Sequence, residues 1–97
     1  MNLTDKVTIP EQVMARQVGE ETVILDLASG IYFGLDPVGA RIWQLLGEGR
    51  TLAEVCESML AEYEVPRDEI ERDLSDLLAA LADKELIKLE PESASLP

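Results

Sequence analysis

The side chains that could do chemistry are few. Cys56 is the only thiol in 97 residues, and histidine is absent. A cysteine nucleophile needs a neighbouring base to form the thiolate. Without histidine the chain lacks the commonest general base and the commonest metal ligand. Cys56 also falls on an apolar stripe with Leu52, Val55, Met59, Leu60 and Tyr63, which favours a buried structural thiol. A lone cysteine permits neither an intrachain disulfide nor a multi-cysteine zinc site. Carboxylates are plentiful, and Glu69, Asp73 and Asp76 share part of one helix face by their spacing. Acid–base work would need them in a cleft, and the plainer reading is a solvated surface. No DxDxDG loop offers a calcium site, and Gly47-Glu48-Gly49 is a helix stop whose acid would repel phosphate. The expectation is a protein with no catalytic residue, no metal and no cofactor: a binding module, not an enzyme.

The charge narrows the partner. Twenty acidic against eight basic residues give −12 and a pI near 4.1. Binding nucleic acid or an anionic membrane needs a Lys/Arg patch. The stretch Leu52–Glu64 has no Lys or Arg. Arg67–Glu85 sets Arg67, Arg72 and Lys84 against seven acids. Neither suits a phosphate backbone, so no nucleic acid and no membrane are expected. The surplus of acid suits a basic or neutral partner, or serves solubility alone. No apolar run is long enough to span a bilayer, and Met1–Pro10 has no apolar core of a signal peptide. A cytoplasmic location is expected.

The elements follow from the hydrophobic period, which changes once, near residue 36. Before it the period is two. Residues 13–18 alternate, Gly19-Glu20 is a turn, and Glu21–Leu27 is rich in apolar and β-branched residues. Ala28-Ser29-Gly30 is a second turn, with Gly30 free to take positive φ. Ile31–Leu35 is a third short strand. Two tight connections predict an antiparallel meander, which must pack on something to be stable. After residue 36 the period is near 3.6. Asp36-Pro37 caps and opens a helix carrying Val38, Ile42, Trp43, Leu45 and Leu46. Thr51-Leu-Ala-Glu54 is a capping box for a second helix. Pro66 opens a third, striped by Ile70, Leu74, Leu77, Leu78 and Leu81 and running to about Lys84. Leu86–Leu89 is a short final strand or an extended tail. The fold class expected is α+β, similar to a winged helix-turn-helix: a three-stranded antiparallel N-terminal sheet on three helices. Residues 1–97 form a single domain, with a core over about 7–90 and a frayed Ser/Pro/Glu-rich tail at 91–97.

A three-stranded meander has two edges, and Ile31–Leu35 occupies one. An exposed apolar edge is a liability unless a partner uses it. A peptide can add to such an edge as a further strand. Tyr32 and Phe33 either form side-chain pockets for it or fill the core.

The segment Asp26-Leu-Ala-Ser-Gly30-Ile-Tyr32-Phe-Gly-Leu35-Asp36-Pro-Val-Gly-Ala40-Arg-Ile42-Trp43-Gln-Leu45-Leu46 resembles the central segment of a known family. There a Gly-x-Tyr/Phe-x-x-Leu-Asn/Asp strand runs into a helix with Ile-Trp-x-Leu-Leu. Asp73-Leu74, then Leu77, Leu78, Leu81 and Leu86-Ile87, resemble its last helix and end. The family is that of pyrroloquinoline quinone biosynthesis protein D. It includes the recognition elements of ribosomally made, post-translationally modified peptides (RiPPs). The likeness spans about residues 7–90. It implies a non-catalytic protein that binds the leader segment of a precursor peptide and delivers it to a modifying enzyme or leader peptidase, such as a radical-SAM enzyme or a lasso-peptide peptidase. The leader would add along the third strand beside the third helix. By matching positions, contacts would come from Ile31, Tyr32, Phe33, Gly34 and Leu35. On the helix side they would come from Asp73, Leu74, Asp76, Leu77, Leu78 and Leu81, with Asp73 and Asp76 free to pair with leader Lys or Arg. Asp36 stands where many relatives have Asn, and either caps a helix. The alternatives are an acidic winged-helix regulator, or a strand edge that pairs two copies, so the chain is expected as monomer or homodimer. A proline at Phe33 should abolish peptide binding while the helices stay folded.

Overall fold

The structure, a computed structural model, describes residues 3–90. Five strands and three helices follow one another: β1 Lys6–Thr8, β2 Val13–Val18, β3 Glu21–Asp26, β4 Tyr32–Leu35, α1 Pro37–Gly47, α2 Leu52–Glu62, α3 Arg67–Asp83 and β5 Lys88–Glu90. β2, β3 and β4 form the antiparallel meander in chain order. The fold class is therefore α+β. β1 pairs with β5 in a second, two-stranded sheet with Val7 opposite Leu89. The sequence reading missed β1: three residues are too few to show a period, and the partner lies at the other end of the described chain. The tail 91–97 lies outside the described residues.

The local rules act where expected. Val18 faces Glu21 across the two-residue turn Gly19-Glu20. The β3–β4 loop is fixed by Asp26. Its carboxylate accepts from the N–H of Ala28 (2.8 Å) and Ser29 (3.2 Å), and its carbonyl accepts from Gly30 N–H, where φ is +77°. The two N–H bonds both fall on Oδ1 and give this almost fully buried side chain its partners. Asp36 Oδ1 accepts from Gly39 N–H at 2.7 Å, with Pro37 in the first turn. The capping box of α2 is complete: Glu54 N–H donates to Thr51 Oγ1 and Thr51 N–H to Glu54 Oε1. The next orphan donors of that helix, Leu52 and Ala53 N–H, bond the carbonyls of Asp5 and Leu3. The N-terminal segment is thus pinned to the start of α2.

The core lies between the meander and the helices. Ile24, Ile42, Leu45, Leu46, Leu52, Met59, Leu74, Leu81 and Leu86 are fully buried in it. α1 packs on β1, β3 and β4, and α2 links α1 to α3. Bidentate bonds from Arg41 to Glu62 tie α1 to the end of α2, and Arg67 reaches back to Glu57 at 2.7 Å.

Candidate functional site

β4 is the edge of the meander. It pairs with β3 alone, with Tyr32 opposite Leu25, Phe33 opposite Ile24, Gly34 opposite Val23 and Leu35 opposite Thr22. Asp26 N–H donates to Ile31 O at 2.8 Å and closes the loop. Antiparallel pairs alternate between hydrogen-bonded and non-bonded. From that closing pair, the backbone groups of Phe33 and Leu35 turn toward β3. Those of Tyr32 and Gly34 turn to the free side, where no strand lies among the described residues. The edge thus offers two N–H and two C=O groups to a further strand.

Side chains alternate the other way. Phe33 and Leu35 point inward with Ile24, while Tyr32 and Gly34 belong to the outer face. Between β4 and α3 runs a groove of about 390 Å³. Phe33, Gly34 and Leu35 form one wall and Asp73, Asp76 and Leu77 the other. Asp36, Val38, Gly39 and Ile42 close it from the start of α1. Phe33, Val38 and Leu77 are partly buried against the core and give the groove its apolar part. Its acidic rim is Asp73 and Asp76, which have no ion-pair or hydrogen-bond partner among the described residues.

The residues singled out from sequence separate into three groups. Phe33, Gly34, Leu35, Asp73, Asp76 and Leu77 meet at the groove. Tyr32 and Ile31 lie outside it. Tyr32 is 72% exposed on the outer face, and Ile31 belongs to the loop, since the strand starts one residue later than its expected beginning. Leu74, Leu78 and Leu81 are buried in the core and support α3 from beneath. The contribution of α1 was not foreseen. Its signal was present in Asp36-Pro37, a cap directly after β4, which must set the first turn of α1 beside that strand. The ladder also revises the proline expectation. Phe33 N–H faces β3, so proline there would break the meander itself, and the residues whose N–H faces outward are Tyr32 and Gly34.

The groove lining holds no cysteine, serine, threonine, lysine or histidine. Cys56 is fully buried on α2, outside the groove, and burial raises its thiol pKa above the ordinary value. Among the described residues no three potential ligands cluster to hold a metal, and no helix is long and apolar enough to cross a membrane.

The family whose model matches is described as coenzyme PQQ synthesis protein D (PqqD), and the match covers residues 21–87, more than half of the chain. This chain belongs to the PqqD family. No curated protein matches it. Two solved structures are similar. One is "TbiB1 in Complex with the TbiA(beta) Leader Peptide", at 49% identity over 82% of this chain and 93% of that one, with a TM-score of 0.75. The other is "Lasso peptide synthetase B1 complexed with the leader peptide", at 30% identity over 86% and 98%, with a TM-score of 0.77. The PqqD-family match spans β3, β4 and all three helices, and so includes both walls of the groove.

Proposed function

We propose that this chain is a RiPP recognition element that binds the leader segment of a precursor peptide by strand addition to β4. It then delivers the precursor to a lasso-type leader peptidase or another modifying enzyme. The observation that carries the reading is the free β4 edge beside a partly apolar, acid-rimmed groove, in a PqqD-family chain that is 49% identical to a protein solved with a leader peptide. The chain acts as one domain in the cytoplasm and catalyses no reaction itself.

Magnitudes divide the work between backbone and side chains. Four edge hydrogen bonds contribute about 1 kcal/mol each. Micromolar binding needs about 8 kcal/mol after the costs of association. One apolar side chain buried in the groove adds about 1.5–3 kcal/mol. The ladder therefore supplies about half of what micromolar binding needs, and side chains in the groove must supply the rest; they also set specificity, since backbone bonds do not read side chains. Tyr32 and Gly34 supply the ladder, Phe33, Val38, Leu77 and Ile42 the apolar seat, and Asp73 and Asp76 partners for a basic leader residue.

The test is fluorescence anisotropy with two fluorescein-labelled peptides: the leader encoded beside this chain's gene and the TbiA(beta) leader. Saturable binding to either, lost when the leader's apolar residues become alanine, is expected. No binding to both would overturn the reading.

A further inference from the structure

Gly34 sits inside β4 without using what glycine offers. Its φ lies outside the left-handed region. A Cβ built on it would meet no atom within 4 Å. Inside a strand glycine is destabilising by about 0.5–1 kcal/mol relative to alanine. The fold thus gains nothing from this glycine, and a side chain would fit. Glycine inside a strand otherwise marks a bulge, a tight bend or the close approach of a ligand or another backbone, and the one-to-one register of β3 with β4 leaves no bulge here.

The surroundings indicate what comes close. Gly34 is on the outer face, directly across from Val23. Tyr32, two residues before it on the same face, is 72% exposed and stands across from Leu25. Val23 and Leu25 are half-buried, and Met14 continues the row from β2. Gly34 is therefore a gap beside the apolar Val23, Leu25 and Tyr32, with the exposed Arg16 two strands away at the far end of its own row, and it lies on the edge that strand addition uses. A strand added there puts one residue beside Gly34, pointing outward. Large side chains stabilise a sheet by lying across a neighbouring glycine.

We propose that Gly34 is a specificity seat: the bound peptide places one aromatic or branched apolar side chain on the outer face of the sheet. That side chain lies across Gly34 against Tyr32 and Val23. This rests on the strand-addition reading above. The peptide is then held on two sides, with one side chain in the groove and the next over the glycine. The chemistry selected is an extended segment with large apolar residues at adjacent positions, not only at alternate ones.

The experiment compares Gly34→Val, Gly34→Pro and the unsubstituted chain against the same two leaders and their single-alanine variants. Valine suits a strand, so the melting temperature of Gly34→Val should hold or rise. Its binding should weaken tenfold or more. One leader alanine should cost as much, and combining it with Gly34→Val should add little further loss. Gly34→Val binding as tightly as the unsubstituted chain would overturn the seat. So would full additivity with every leader alanine. If Gly34→Pro alone abolishes binding in either case, strand addition survives without the seat. If the unsubstituted chain binds neither leader, the proposed function falls and takes this inference with it.

Discussion

Glu85 ends α3 in a backbone conformation that glycine normally fills. Its φ is 58°, the only positive value at a non-glycine among the described residues. Glu85 N–H bonds Ala82 O and Leu86 N–H bonds Leu81 O, the paired bonds of a Schellman ending. That ending swings Leu86 and Ile87 back into the core, where both are buried. A side chain in the left-handed region costs about 1–2 kcal/mol, part of which glycine would return as unfolded-chain entropy. Glu85→Gly should therefore stabilise the fold by about 1 kcal/mol, or about 4–8 °C in melting temperature for a domain of this size. An unchanged or lower melting temperature would show that the glutamate side chain offsets its own strain. At this scale the sequence was legible wherever a side chain bonds its near neighbours, as at Asp36 and Thr51. It was silent at Glu85, because no residue type there announced a left-handed turn.

Between elements, ladder parity decides what a substitution tests. Phe33→Pro removes a donor that faces β3 and leaves a buried acceptor unpaired, so it should destabilise the chain by roughly 1–3 kcal/mol. Gly34→Pro removes a donor that faces outward. It should leave thermal unfolding near that of the unsubstituted chain and weaken leader binding more than tenfold. Equal loss of stability in the two variants would contradict the alternation deduced from the Asp26–Ile31 pair. The leucines of α3 divide in the same way. Leu74→Ala empties a fully buried position and should cost about 2–5 kcal/mol of stability. Leu77→Ala, on the groove wall, should cost about 1 kcal/mol and act mainly on binding. Calorimetry and anisotropy on both variants check this division. The stripe itself was readable from the 3.6 period. Which leucine faces the groove was not, because that depends on how α3 is rotated against β4. Asp73 and Asp76 held the only hint, since acids flanking Leu77 mark the rim of the buried face.

Over the whole molecule the net charge of −12 acts through the groove's acidic rim. Exposed ion pairs contribute at most about 1 kcal/mol and are screened over about 10 Å at 0.1 M salt. A leader with Lys or Arg near Asp76 should lose up to about fivefold in affinity between 50 mM and 500 mM salt. The same leader with alanine there should lose little, and equal salt dependence in both would remove Asp73 and Asp76 from recognition. What the sequence could not show at this scale is the pairing of β1 with β5, which no local pattern encodes. That pairing sets Lys6 directly opposite Glu90. The path through residues 6–90 therefore enters and leaves at one place, on a ladder separate from the one that holds β4. A surface loop of another protein could accept this segment between two adjacent residues without being pried open. A graft that also keeps Leu3–Asp5, whose backbone carbonyls satisfy the start of α2, should keep its leader affinity, measured by the same anisotropy titration. A peptide-recognition function built this way is portable: it can be carried inside a modifying enzyme as readily as beside one.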